Sequence, residues 1–96
     1  MSEVTIREVT WAAAETELSA VRYAVFVEEQ GFACEIELDG EDPNCVHILA
    51  ELADGEPVGT ARMLPDGHIG RVAVLADCRG QGIGTRLMRR VLDVAQ

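Results

Sequence analysis

Apolar and polar residues alternate from Val4 to Glu8, with Val4 and Ile6 set against Thr5 and Arg7, and this period of two predicts a half-buried first strand. Thr10 follows as a helix cap, since its hydroxyl can accept from an N–H of a first turn. Trp11, Ala14, Leu18, Val21 and Val25 recur at spacings of three and four, which lays them along one stripe of that helix and assigns them to a core. Glu15 and Glu17 fall in its early turns, where the helix dipole favours acids. Phe26 to Gly31 either continues the helix or forms a second short one, with Gly31 as the stop.

The next stretch, Phe32 to Asn44, is polar and acidic, contains Asp39-Gly40 and Pro43, and is too long for a hairpin turn. It predicts the rim of a site, with carboxylates facing a substrate. Asp39, Glu41 and Asp42 do not form a calcium loop, which needs alternate oxygen ligands, a central glycine and a closing glutamate. Val46 to Leu52 and Val58 to Leu64 read as two strands joined through Ala53 to Pro57, whose Asp54-Gly55 pair favours an antiparallel hairpin. Pro65-Asp66-Gly67 makes another turn, and Ile69 to Val74 a further strand. Ile83, Leu87, Val91 and Ala95 then run at i+4 intervals, widened by Met88 and Val94, with Arg86, Arg89 and Arg90 off the stripe. The last five residues close this helix without glycine, proline or a basic turn, so the pattern reads as cut mid-helix.

Ninety-six residues, 48% of them apolar, are read as a single domain spanning residues 1–96, with a core of modest size. No basic leader precedes an apolar run, and no segment approaches the roughly 18 apolar residues of a membrane span, which predicts a cytoplasmic chain without a membrane partner. Cys34, Cys45 and Cys78 are odd in number and lack the paired spacing of a zinc site; they read as reduced thiols, and no metal is expected.

The net charge of −9 opposes a nucleic-acid partner, because phosphate neutralisation needs clustered cations. Its distribution says more. Residues 1–56 carry 14 acidic and 2 basic side chains, residues 57–96 carry 3 acidic and 6 basic ones, and lysine is absent throughout. This is either a solvated acidic surface with biased composition, or an acidic half attracting a cation beside a basic half favouring an anion.

Between the last strand and the last helix lies Arg79-Gly80-Gln81-Gly82-Ile83-Gly84. Three glycines let the backbone approach a ligand and turn N–H groups toward it, while the helix start adds a positive dipole end. The bland reading is a tight strand-to-helix connection. The spacing does not match the Gly-x-Gly-x-x-Gly of dinucleotide folds, and no lysine follows as in a Walker loop.

Arg79-Gly80-Gln81-Gly82-Ile83-Gly84 resembles the Gln/Arg-x-x-Gly-x-Gly/Ala motif of the GNAT superfamily of N-acetyltransferases, including the strand before it and the helix after it. Arg22 to Gly31, together with Asp39, Asp42 and His47, is similar to the ElaA-like subgroup, so the likeness covers nearly the whole chain. It implies a mixed α/β fold, a mainly antiparallel sheet with flanking helices, and transfer of an acetyl group from acetyl-CoA to a primary amine of a small molecule or peptide. By the same resemblance the backbone of Val72, Ala73 and Val74 pairs with pantetheine, an N–H of that strand polarises the acetyl carbonyl, and Arg79, Gly80, Gln81, Gly82, Ile83, Gly84 and Thr85 hold the pyrophosphate. Glu28 and Glu29 fall in the segment resembling the substrate-side helix, and Glu29 is the candidate base, acting through water. A solvated surface role accounts for either glutamate more simply. His47 begins a strand and His68 follows a turn, where structural hydrogen bonding is the commoner role.

The resemblance also implies a fifth strand, a fourth helix and further strands after residue 96, with the family's usual tyrosine acid among them. Tyr23 does not match that tyrosine. Without those parts the cofactor cleft has one wall and the fourth strand an open edge, which leaves three readings of the chain: a fragment of a longer acetyltransferase, a homodimer that pairs or swaps elements to complete the fold, or a natural short form. The alternative function is a non-catalytic acetyl-CoA-binding module or an inactive fragment.

Overall fold

The alternating first segment forms strand β1, Val4–Val9, which pairs antiparallel with β2, Val46–Leu52, from Val4 opposite Leu52 to Val9 opposite His47. The computed structural model describes residues 3–31 and 40–95, so the expectations attached to Cys34 and Asp39, and most of the acidic connection, lie outside the described residues. β2 pairs antiparallel with β3, Pro57–Met63, and β3 with β4, Ile69–Val74, giving a four-stranded sheet in chain order. The Asp54-Gly55 and Asp66-Gly67 turns make the two hairpins, with Gly55 and Gly67 at positive φ. No helix among the described residues is long and apolar enough to cross a membrane.

Helix α1, Trp11–Arg22, is capped as expected: the Thr10 hydroxyl accepts from the Ala13 N–H at 3.2 Å. Its first turn contains no acid, so Glu15 and Glu17 lie beyond the reach of the dipole and are corrected to ordinary helix-surface positions. The chain then widens into a π-helical segment, Tyr23–Glu29, before Gly31 stops it at a φ of 79°. Helix α2, Ile83–Ala95, has the expected bounds, but its buried stripe is Ile83, Leu87 and Val91; Ala95 is exposed.

Successive residues of β2 point to opposite faces, and this sorts the core into two layers. Ile48 and Ala50 pack with Ile83, Leu87 and Val91 of α2, whereas Leu49 packs with Ala14 and Leu18 of α1. The two helices therefore cover opposite faces of the sheet. Leu18, Ile48, Leu49 and Leu87 are wholly buried, each contributing about 1.5–3 kcal/mol of transfer free energy. Gly59 is where α2 comes closest: a Cβ there would stand 3.1 Å from Leu87 Cδ1 and 3.3 Å from Ala50 Cβ. Arg86 fastens the helix further by donating to the Val4 carbonyl at 3.0 Å.

A third cluster, Val21, Val25 and Ala73, joins α1 and the π segment to β4. Beside it sits a buried polar group. The Asp42 carboxylate accepts from Arg22 Nη1 and Nη2 at 2.9 and 3.1 Å and from Arg62 Nη1 at 3.1 Å, and all three residues are under 5% exposed. The expectation that this carboxylate faces a substrate is therefore wrong. Asp42 turns inward because two guanidiniums, one from α1 and one from β3, offer a buried charge its compensation. His47, also buried, donates from Nε2 to the Asp42 carbonyl at 2.9 Å. Trp11 lies between the two, its ring 5.4 Å from that of His47 and 5.5 Å below the Arg22 guanidinium.

Burial alone would push the Asp42 carboxyl up, but the hydrogen bonds and charges of Arg22 and Arg62 outweigh it and hold it below its ordinary value. His47 is pushed down by burial, only partly opposed by its bond to Asp42. Both shifts make the fold more stable at neutral than at acid pH. Asp42 contributes fully above its unfolded value of about 3.9 and is lost as pH falls through the lowered folded value; His47 weakens the fold from about pH 6.5 downward, where the unfolded chain takes up a proton first. Urea midpoints should fall from pH 7 to pH 5, and His47→Gln, which can still donate to the Asp42 carbonyl, should flatten that fall. Asp42→Ala should cost about 3–5 kcal/mol at pH 7, because it removes the carboxylate that two buried guanidiniums share; a loss under about 1 kcal/mol would show that the cluster anchors nothing.

Candidate functional site

β4 hands the chain to α2 through a short 3-10 turn, Ala76–Cys78, and then through the glycine-rich stretch. Leu75 extends the strand pairing with an N–H bond to the Val58 carbonyl at 2.9 Å. Gly80 and Gly82 take φ values of 81° and 80°, a left-handed conformation that glycine adopts without a Cβ clash. The Arg86 N–H reaches the Gly82 carbonyl at 3.1 Å, which makes Gly82 the residue at the mouth of the helix. The N–H groups from Gly82 to Thr85 then precede the first helical hydrogen bond and are available to an acceptor outside the helix.

An open cleft of about 380 Å³ lies against this turn. Its walls bring together Val72, Ala73 and Val74 of β4 with Arg79, Gly80, Gly82, Ile83, Gly84 and Thr85, residues separated in the chain by the 3-10 turn. Gln81 belongs to the turn but not to the wall. Val25, Gln30 and Cys78 complete the lining. Sequence reasoning assigns none of these three to the cofactor site: Val25 has a role in the apolar stripe, Gln30 lies in the segment similar to the ElaA-like subgroup, and Cys78 reads as a reduced thiol. A smaller, more apolar recess of about 280 Å³ adjoins it, lined by Ala24, Val25, Glu29, Leu75, Ala76 and Asp77.

Glu29 stands at the end of the π segment and is joined to the turn by Arg79. The guanidinium donates to both carboxylate oxygens, at 2.7 and 2.5 Å, and its Nε donates to the Val74 carbonyl at 2.9 Å. Hydrogen bonding by Arg79 holds the Glu29 carboxyl below its ordinary value, against a small opposing effect of burial. The same bonds raise Arg79. The pair ties together two segments 50 residues apart, but both partners are substantially exposed, so its effect is on geometry more than on stability. Glu28, the other glutamate of this segment, is exposed.

β4 is irregular where it lines the cleft. Pairing with β3 steps from Thr60–Ala73 directly to Arg62–Gly70, so Arg71 and Val72 together stand opposite Ala61. This is a bulge, and Arg71 within it has a φ of 50°. The Thr60 hydroxyl donates to the Arg71 carbonyl at 3.0 Å. Among the described strands β4 pairs only with β3, so its outer edge is open along the cleft, and Val72 is 37% exposed there.

The remaining chemistry-bearing residues lie elsewhere. His47 is in the Asp42 cluster, and His68 is at a surface turn with Nδ1 2.9 Å from Asp66 Oδ2. Cys45 and Cys78 are half-buried thiols, and Cys45 Sγ donates to the Glu41 carbonyl at 3.2 Å. Ligand atoms of Asp42, Cys45 and His47 lie within 4.8 Å of one another, yet the carboxylate is held by two guanidiniums whose charge opposes a cation, and His47 Nε2 is committed to a carbonyl. Arg86, Arg89 and Arg90 line a separate recess of about 300 Å³ with Ile6 and Asp93.

This arrangement has counterparts among known proteins. Residues 6–96 match the model of the acetyltransferase (GNAT) family. A provisionally named acetyltransferase of Bacillus subtilis is 44% identical over 70 residues, which cover 67% of this chain and 47% of that protein. The crystal structure of Escherichia coli ElaA superposes with a TM-score of 0.81 at 31% identity, covering 96% of this chain and 69% of that one. An acyl-CoA N-acyltransferase from Pseudomonas aeruginosa does so with a TM-score of 0.81 at 32% identity, covering 97% and 70%. The chain spans about half the length of the curated relatives it matches. With its sheet, its glycine turn and its residues 6–96 all in agreement, the chain belongs to the acetyltransferase (GNAT) family.

Proposed function

We propose that this chain binds acetyl-CoA in the cleft between β4 and the glycine turn, and that it forms the donor side of an N-acetyltransferase acting on a primary amine. The observation that carries this reading is the continuity of one cleft from an open strand edge to a cluster of helix-start N–H groups. The two ends suit the two ends of the donor. Pantetheine carries amides, which can extend the ladder along Val72, Ala73 and Val74. The pyrophosphate suits the N–H groups at Gly80 to Thr85, where the turn and the helix dipole favour an anion. The adjoining apolar recess and the acidic N-terminal half support an amine acceptor that arrives as a cation.

The reaction would then run by attack of a neutral amine on the thioester carbon. An N–H on the β4 edge would stabilise the developing oxyanion, a kind of contact worth about 3–4 kcal/mol in the transition state where single donors have been removed elsewhere. Alkyl amines titrate near about 10, so a proton must leave before attack, and the departing thiolate must gain one. In this reading Arg79 contributes its backbone to the pyrophosphate site, since its side chain is engaged by Glu29 and Val74. Glu29 in turn braces the turn; acting as a base through water would require it to leave Arg79. An odd number of cysteines without paired spacing suits a reducing, cytoplasmic setting. A non-catalytic acetyl-CoA-binding module is the second reading, favoured by the engagement of Glu29, the candidate base, with the Arg79 guanidinium.

Calorimetric titration with acetyl-CoA, and with ADP as a probe of the turn alone, tests the donor reading directly. Both should bind, acetyl-CoA more tightly. Gly84→Ala is the cleanest disruption, because a Cβ there meets nothing within 4 Å and Gly84 has no left-handed φ, so the free protein is left undisturbed. It should weaken both ligands by about tenfold, the equivalent of about 1.4 kcal/mol, through crowding at the phosphate. Unchanged affinity for both would remove the pyrophosphate assignment. Glu29→Gln separates brace from base. As a brace it should weaken acetyl-CoA binding with no new pH dependence, whereas a base would show unchanged binding and a turnover loss confined to the chemical step.

A further inference from the structure

Arg71 is the one non-glycine residue at positive φ among the described residues, at 50°. A long side chain persists in that region only where its surroundings over-determine the backbone. Two neighbours bear on it. The stepped register gives β4 an extra residue opposite Ala61, and Thr60 reaches across from β3 with a hydroxyl bond to the Arg71 carbonyl. Thr60 is 1% exposed, so its hydroxyl is directed by the sheet and not by water. Its branched Cβ restricts χ1 further.

The position of this bond matters because Val72, the next residue, is the first residue of β4 in the wall of the cleft. The direction of the peptide between Arg71 and Val72 depends on the backbone angles that Thr60 constrains. We infer that Thr60 is a positioning residue of the donor site: its hydroxyl holds the Arg71 bulge, and the bulge aims the edge of β4 from Val72 onward at the acyl end of the donor. The inference rests on the acetyl-CoA reading for its ligand but not for its geometry. The glycine turn, which reads the phosphate end, is untouched by it.

Thr60→Val keeps the shape and removes the hydroxyl, while Thr60→Ser keeps the hydroxyl. In labelled protein, Thr60→Val should move the backbone NMR shifts of Arg71 and Val72 toward extended values, and Thr60→Ser should leave them in place. Acetyl-CoA affinity should fall about threefold to tenfold in the valine variant, the worth of one hydrogen bond, with ADP affinity unchanged. Adding Arg71→Gly to Thr60→Val should restore acetyl-CoA affinity, since glycine holds a positive φ without help. This double variant also carries the test if valine alone lowers the melting temperature too far to assay. Unmoved shifts in Thr60→Val, or equal weakening of acetyl-CoA and ADP, would overturn the inference. Should the wild-type chain bind ADP but not acetyl-CoA, the donor reading fails, and the shifts alone decide whether Thr60 holds the bulge.

Discussion

A carboxylate buried between two guanidiniums constrains the rest of this fold. Asp42 belongs to the connection between α1 and the sheet, Arg22 to the end of α1 and Arg62 to β3, so one group joins three parts of the chain that share no sequence neighbourhood. Such a cluster adds little net stability over an apolar one, because desolvation offsets the attraction. Its effect is on arrangement. A guanidinium at the last residue of α1 fixes where the helix ends, and therefore where the π segment begins its path toward the cleft. Trp11 packs under the Arg22 guanidinium and beside the His47 ring, which ties the start of α1 to the same cluster.

From that anchor the site assembles by two independent routes. The π segment carries Val25 onto β4 and Glu29 to Arg79, making one side of the cleft. The β3–β4 hairpin and the glycine turn make the other. Arg79 is where the routes meet, since its guanidinium touches both Glu29 and the last carbonyl of β4. Electrostatics at such an exposed pair are weak, but a planar group held at three points gives the turn a defined distance from the helix.

The parts of this fold that were legible in the sequence are those governed by local periodicity. Alternation placed β1, the Asp-Gly pairs placed both hairpin turns, and the i+4 run of Ile83, Leu87 and Val91 placed α2. The glycine turn was legible too, because its residues are contiguous and their chemistry is backbone chemistry. Asp42 was not: an aspartate before proline in an acidic stretch looks like surface until two distant arginines are brought to it. The Arg71 bulge depends on cross-strand register, and the Glu29–Arg79 pair on a separation of 50 residues, neither of which leaves a periodic trace. Gln30 and Cys78 joined the cleft wall for the same reason, by where the chain carries them.

The bulge in β4 has a consequence for strand pairing. A straight strand edge displaying alternating N–H and C=O groups is a template on which another chain's strand can add, and Val72 gives this edge an apolar side chain as well. A left-handed residue in the middle breaks that template, because a regular strand can match the edge on one side of the kink but not on both. One left-handed residue in mid-strand makes this edge a poorer template for a neighbouring strand than a straight one.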